Sequence, residues 1–105
     1  MKRVYISYPR RGGREGYLEE VSRICFQIAR THETVMPVSP LHMFGFLDDG
    51  EPEDREKLLG YCLNLINDCD EVWMFGEWQE CEWCVREVNM ARLLGKTVRY
   101  WGKLE

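Results

Sequence analysis

The chain has 105 residues, which is enough for one small domain with a single core. Its formal net charge of −4 argues against a protein that binds nucleic-acid polymers, because phosphate binding needs clustered Lys and Arg side chains. The sequence contains neither an apolar run long enough to cross a membrane nor the apolar core of a signal peptide, so we expect a cytoplasmic protein without a membrane partner.

Strands and helices alternate along the chain in a pattern set by apolar spacing. The predicted order is strand 3–7, helix 15–31, strand 33–38, helix 52–67, strand 71–75, helix 84–94 and strand 97–100. This alternation is typical of parallel strands joined by right-handed crossovers. We therefore predict one small, doubly wound α/β domain over residues 1–105. Its four-stranded parallel sheet should have the order 2-1-3-4, with helices on both faces and no antiparallel hairpin.

The last predicted helix contains the most informative residue, Glu87. Apolar side chains at helical spacing should turn one side of this helix to the core: Val85, Val88, Ala91 and Leu94. Glu87 lies in the first half of the helix, after the strand 71–75. In open α/β sheets, ligands bind outside the carboxyl ends of the strands. Glu87 is therefore either a solvated surface acid or a catalytic group.

The loop after the first strand has the composition of an anion site. Small residues and glycines there let backbone amides approach a ligand, and arginines precede the start of a helix. The candidate ligand-binding residues in this loop are Ser7, Pro9, Arg10, Arg11 and Gly12. The loop matches neither a dinucleotide fingerprint nor a P-loop. The alternative interpretation is a glycine-containing loop with solvated arginines.

An acidic segment forms a second candidate. Asp48, Asp49 and Asp54 precede or begin a helix, and a carboxylate is a suitable acceptor for the amino group or ring N–H of a base. The alternative is that these acids complement the helix dipole, which is expected for most of them. Asp70 should lie at the amino end of its strand, where a structural or capping role is expected.

Five cysteines in a chain without a secretion signal indicate reduced thiols. Cys81 and Cys84 form a single CxxC at a predicted helix start, where a redox cysteine of low pKa would lie. The β/α alternation does not place this pair where a thioredoxin-type site belongs. Zinc needs four ligands, and no second CxxC or paired histidines accompany it. We therefore expect free thiols, no metal and no cofactor.

Four segments together resemble the nucleoside 2-deoxyribosyltransferase-like superfamily, and within it the small bacterial and phage members. The segments cover nearly the whole chain: 4–12 (VYISYPRRG), 37–44 (PVSPLHMF), 69–76 (CDEVWMFG) and 87–98 (EVNMARLLGKTV). No one of them is highly specific, but their ordered set is. The resemblance implies a small doubly wound domain, assembled into homo-oligomers whose active sites borrow residues from a neighbour.

The resemblance also implies roles. Glu87 would attack the anomeric carbon of the sugar and carry a covalent glycosyl intermediate, and Tyr5 would orient its carboxylate. An acid between Asp48 and Asp54 would hold the base. Tyr5, Arg10, Glu87 and one of these acids should then line one cleft.

The chain departs from the family at two positions that usually hold a serine and a glycine in contact with sugar or phosphate. Here they are Cys81 and Trp83. A tryptophan in place of glycine fills space, reshapes the pocket and offers a stacking surface for a base. Two functions therefore remain open for a small nucleoside or nucleotide ligand. One is an N-glycosidase or deoxyribosyltransferase, and the other is a non-catalytic protein that senses or sequesters a nucleotide.

Overall fold

The computed structural model describes residues 1–10 and 13–102 of the chain. Its elements in chain order are β1 (Lys2–Ser7), α1 (Arg14–Thr31), β2 (Val35–Val38), α2 (Pro40–Met43), α3 (Pro52–Asp68), β3 (Glu71–Phe75), α4 (Glu82–Leu93) and β4 (Thr97–Trp101). A single 3₁₀ turn, Trp78–Glu80, leads into α4. The predicted positions of Arg11 and Gly12 lie outside the described residues.

The four strands form one parallel sheet in the order β2-β1-β3-β4. In the register of this sheet, Tyr5 of β1 pairs with Val38 on one side and with Val72 on the other. The predicted strand order is therefore confirmed. Every strand pair in the described part of the chain is parallel, as a β/α alternation requires.

Helices cover both faces of the sheet, because successive strand residues point to opposite sides. Val4 and Ile6 of β1 pack with α1 on one face. Tyr5 of the same strand packs on the other face against α3 and α4. β3 is buried along its whole length, as expected for a strand inside a sheet covered on both sides. The predicted doubly wound α/β fold is confirmed.

Two local features differ from the prediction. The apolar connection after β2 contains a short helix, α2, whose first turn is favoured by Ser39 as N-cap and by Pro40 at the first position. Leu94 was predicted to face the core, and this is wrong: it is 39% exposed. Helix α4 ends at Leu93, and Gly95, with φ of +72°, turns the chain towards β4.

The amino ends of the central strands carry a structural cluster of charges around Glu71. Its carboxylate pairs with Lys2 at 2.6 Å and Arg99 at 3.1 Å, and accepts a hydrogen bond from Trp73 at 2.9 Å. Burial alone would raise the pKa of Glu71, but these hydrogen bonds outweigh it and lower the pKa. Nearby, Asp70 accepts a hydrogen bond from the backbone N–H of Arg3 at 2.8 Å, which is the structural role expected for Asp70.

Candidate active site

Glu87 lies between α4 and the carboxyl-terminal half of β1. It sits one turn into α4, on the side that packs against the sheet, and only 2% of its surface is exposed. Tyr5 and Ser7 reach it from β1, since residues two apart on a strand share a face. The Tyr5 hydroxyl donates a hydrogen bond to Oε2 of Glu87, and the Ser7 hydroxyl donates one to Oε1 at 2.8 Å. Both carboxylate oxygens are therefore held by neutral donors.

The ionisation of Glu87 is set by opposing effects. Burial raises its pKa to about 7, because the charged form loses its water. The hydrogen bonds from Tyr5 and Ser7 and the charge of Arg10 act in the opposite direction. Burial and the neighbouring Glu87 carboxylate together raise the pKa of Tyr5 well above its usual value. Tyr5 therefore keeps its proton and acts as the donor, while Glu87 changes charge near neutral pH.

Arg10 forms a charged cluster next to this carboxylate. Its guanidinium lies 3.2 Å from Asp49, which also accepts a hydrogen bond from the Tyr17 hydroxyl at 3.0 Å. The same guanidinium lies 4.5 Å from the centre of the Trp83 ring, and that of Arg55 lies 5.6 Å from it. These distances are typical of cation–π contacts. Arg10 therefore links the acidic segment to the residues around Glu87.

Trp83 is a buried aromatic residue on the same face of α4 as Glu87, one turn earlier. Its indole Nε1 is buried, and within residues 1–10 and 13–102 it has no hydrogen-bond partner. An unpartnered buried donor of this kind costs about 1–3 kcal/mol, so a ligand that accepts from it would gain by binding.

The structure separates the three acids that the sequence grouped together. Asp49 reaches Arg10 as described above. Asp48 accepts a hydrogen bond from the backbone of Gly50 at 2.9 Å, and Asp54 accepts one from the backbone of Asp48 at 3.0 Å. These two contacts stay inside the turn before α3 and its first residues. The geometry thus distinguishes Asp49 from its neighbours, and the binding roles of all three stay predictions.

Pro9 and Cys81 border the site from two further loops. Pro9 is buried against Gly76, at the carboxyl ends of β1 and β3. Cys81 is the N-cap residue of α4, and Cys84 lies buried one turn further on. All five cysteines have free thiols. Ligand contact by Pro9 and Cys81 also stays a prediction.

Glu87 is closed off from solvent, since only 2% of its surface is exposed. A cavity of about 10 Å³ on the side of Arg10 that faces Tyr17 and Asp49 has room for about one water. A wider cleft of about 260 Å³ opens at the carboxyl ends of β1 and β3, between Tyr8, Tyr17 and Glu77. This is where the crossovers from neighbouring strands leave in opposite directions, the usual ligand position in such sheets.

A larger cavity, of about 600 Å³, lies elsewhere. It follows the open edge of β2 and is lined by residues such as Met36, Met43 and Leu65, and by none of the predicted site residues. Size alone would favour it as a ligand site. Chemistry favours the region of Glu87, because a buried carboxyl group with a shifted pKa is found there.

Sequence reasoning missed Tyr17 and Arg55. Tyr17 lies four residues before buried Val21 in α1, on the same helix face, and is itself buried. That spacing was a readable signal for its position, but not for its contact with Asp49. Arg55 follows the acidic segment, and nothing in the sequence indicated its proximity to Trp83.

Two negative observations apply to residues 1–10 and 13–102. No group of three or more His, Cys, Asp or Glu side chains there is arranged to hold a metal ion. No helix in these ranges is both long and apolar enough to span a bilayer.

Comparisons with known proteins support the fold. The family model described as "Domain of unknown function (DUF7768)" matches residues 2–101. No curated protein matches the sequence. A solved structure of a 2-deoxyribosyltransferase from the psychrotolerant bacterium Bacillus psychrosaccharolyticus is similar, with a TM-score of 0.67 and 16% sequence identity. The similarity covers 98% of this chain and 76% of that one, and at this identity it shows the fold alone.

Proposed function

The chain belongs to the DUF7768 family, and we propose that it cleaves the N-glycosidic bond of a nucleoside or nucleotide with Glu87 as the nucleophile. The observation that supports this most is the Glu87 carboxylate held by Tyr5 and Ser7 on the inner side of α4. The similar fold of a solved 2-deoxyribosyltransferase is consistent with this chemistry.

The reaction would proceed in two steps. In the first, a carboxylate oxygen of Glu87 attacks the anomeric carbon while the carbon–nitrogen bond breaks, and the base leaves with the bonding electrons and takes up a proton. In the second, water or another base attacks the same carbon and releases Glu87. The first transition state resembles an oxocarbenium ion, which an adjacent carboxylate stabilises. Tyr5 and Ser7 would fix the orientation of the carboxylate in both steps.

The residues around Glu87 suit the rest of such a ligand. Trp83 offers a flat surface for a base, and Asp49 offers an acceptor for its amino group. Arg10 is a donor for an anionic group on the sugar. Since Glu87 is 2% exposed, a substrate would reach it only if neighbouring side chains such as Trp83 or Arg10 moved.

A second function is favoured by the packing over Glu87. Trp83 lies beneath the Arg10 guanidinium, where the resembling family has a small residue, and this reduces the room for a sugar next to the carboxylate. A protein that binds a nucleotide without cleaving it would be compatible with this packing. In that case Glu87 would contribute to the shape and charge of the site only.

The test combines binding and turnover. A thermal-shift screen of nucleosides, nucleotides and ADP-ribose derivatives identifies ligands, because a compound that binds only the folded state raises the melting temperature. Chromatography of each hit then measures free base. Under the enzyme proposal, Glu87→Gln abolishes base release but keeps ligand-induced stabilisation, since the amide preserves shape and loses the nucleophile.

Glu71→Gln is the matched control. It makes the same chemical change in another buried glutamate, at the opposite ends of the strands. It should lower stability and leave base release per folded molecule unchanged. Base release by Glu87→Gln at the rate of the parent would exclude Glu87 as the nucleophile. A ligand that stabilises the parent without any base release would favour the binding protein.

The remaining expectations are also proposals. We propose that residues 1–105 act as one domain in the cytoplasm and assemble into a homo-oligomer. Exposed apolar side chains of Met43, Phe46 and Tyr61 are available for contact with a second copy. Light scattering coupled to size-exclusion chromatography measures the assembly, and a monomeric mass over a range of concentrations would exclude it.

A further inference from the structure

The start of α4 brings two cysteines of unequal character together. Cys81 is the N-cap residue and is partly exposed, whereas Cys84 lies in the first turn and is fully buried. Residues three apart on a helix are neighbours, and helix geometry brings their Cα atoms to about 5 Å, inside the range of about 4.4–6.8 Å found in disulfides. The two thiols influence each other's pKa through a hydrogen bond from Cys84 to Cys81.

This contact divides the two roles of a redox pair. The hydrogen bond from Cys84 lowers the pKa of Cys81 to about 5, against the effect of burial. Free backbone N–H groups at the helix start also favour a thiolate there. The same hydrogen bond, followed by burial and the charge of Glu87, raises the pKa of Cys84. Cys81 therefore has the ionised, accessible sulfur, and Cys84 has the protonated, sheltered one.

The other cysteines differ in both respects. Burial raises the pKa of Cys25, Cys62 and Cys69 to about 11. Reactive cysteines are recognised by a low pKa together with exposure. Only Cys81 among the five combines a low pKa with partial exposure. The other three cysteines are therefore internal controls for its reactivity.

We propose that Cys81 and Cys84 are a redox-active dithiol that forms a reversible disulfide by exchange with low-molecular-weight disulfides such as oxidised glutathione. The Cys81 thiolate attacks one sulfur of the small disulfide, forms a mixed disulfide and expels one glutathione thiolate. Cys84 then gives up its proton and attacks the Cys81 sulfur, which expels the second. Two protein thiols are oxidised, one small disulfide is reduced, and both protons end on glutathione.

The exchange takes place in the wall of the Glu87 site. Ser7 donates a hydrogen bond to Glu87, and it also acts on the pKa of Cys84, which it lowers against the effect of burial. Trp83, whose ring contacts Arg10, lies between the two cysteines in the first turn of α4. The redox proposal does not depend on cleavage of a glycosidic bond, since either can fail alone.

The expected reactivity follows from the pKa values. At pH 7 a thiol of pKa about 5 is almost fully ionised, and one of pKa about 11 is ionised in about one molecule in 10,000. The more acidic thiolate is intrinsically weaker by a factor of about 500. Cys81 should therefore react with iodoacetamide about 20-fold faster than Cys25 at pH 7. At pH 6 the ratio should be larger, because Cys81 stays mostly ionised while the thiolate fraction of Cys25 falls.

The experiment treats the reduced folded protein with oxidised glutathione at pH 7 and measures the intact mass. The parent should lose two hydrogens and keep no glutathione, and dithiothreitol should reverse this. Cys84→Ser should retain one glutathione, mapped to Cys81 by peptide analysis. Cys81→Ser should form no adduct over the same time. Cys25→Ser is the control and should behave like the parent.

Three results would overturn the proposal: Cys81→Ser reacting as fast as the parent, a Cys84→Ser adduct mapped to another cysteine, or a parent that accumulates the mixed disulfide. If a serine variant fails to fold, as judged by circular dichroism, the iodoacetamide ratio in the parent decides. Equal alkylation of Cys81 and Cys25 would then refute the inference, and an excess of about 20-fold at Cys81 would support it.

Discussion

The buried carboxyl group of Glu87 should make stability fall as pH rises, which is the opposite of the usual behaviour of a salt-bridged acid. The pKa of Glu87 is about 7 in the folded protein, against 4.5 for the exposed group. Below pH 4.5 the group is protonated in both states and costs nothing. Between pH 4.5 and 7 the carboxyl group ionises in the unfolded chain but not yet in the folded protein. This ionisation stabilises the unfolded state, so the free energy of unfolding falls.

The size of this effect follows from the shift. Each pKa unit corresponds to about 1.4 kcal/mol, so the full loss above pH 7 is about 3 kcal/mol. Glu87→Gln removes the ionisation. The free energy of unfolding of Glu87→Gln relative to the parent should therefore rise by about 3 kcal/mol between pH 4 and pH 8. Groups that titrate in both proteins and do not interact with Glu87 cancel in this difference.

Urea denaturation followed by circular dichroism at several pH values measures the difference, since a domain of this size is expected to unfold in two states. Glu71→Gln is the control of opposite sign. The pKa of Glu71 is lowered in the folded protein, so it stabilises at neutral pH and loses that effect as pH falls. Stability profiles of parent and Glu87→Gln that run parallel from pH 4 to pH 8 would refute the reasoning.

The groups that face Glu87 must be considered in this profile. They are Tyr5, Ser7, Arg10, Cys62, Cys81 and Cys84. Of these, Cys81 titrates nearest the same range, and its charge raises the pKa of Glu87. Repeating both profiles in a Cys81→Ser background separates the two. If the stability of Glu87→Gln relative to its parent still rises with pH in the Cys81→Ser background, the effect is due to Glu87.

Three further variants test the same site and its support. Tyr5→Phe removes a hydrogen bond that lowers the pKa of Glu87, so carbon NMR of the carboxyl group should show a higher pKa than in the parent; an unchanged pKa would contradict the contact. Met74→Ala empties a fully buried position and should cost about 2–5 kcal/mol in urea denaturation. Asp49→Asn should cost about 1 kcal/mol by breaking the pair with Arg10, and this loss should shrink as salt is added.

Much of the fold follows from local pattern. β3 runs from Glu71 to Phe75 as predicted, because five apolar or sheltered residues stand between clear loop residues. The strand order follows from the β/α alternation and the handedness of crossovers. Leu94 was wrongly predicted to face the core, because its apolar spacing continues that of the helix. The chain turns at Gly95, which has a positive φ, and Leu94 is left outside the core.

The site was less predictable, since it depends on contacts between distant side chains. The roles of Tyr5 and Glu87 came from resemblance to a family, and their contact could not be read from spacing. Which acid reaches Arg10 depends on the path of the turn before α3. Asp48 and Asp54 are used inside that turn, which leaves Asp49 to face Arg10.

The hydrogen bonds of Glu87 also have a consequence for folding. They join residues 82 and 80 positions apart, and β1 is hydrogen-bonded on one side to β3, from the second half of the chain. β1 is synthesised before β3 and α4, so it cannot form these contacts until the later elements exist. Contacts of such high sequence separation form late and slowly, because loop closure precedes them. No fragment that ends before α4 can hold the carboxylate, so the site should appear only with the complete domain.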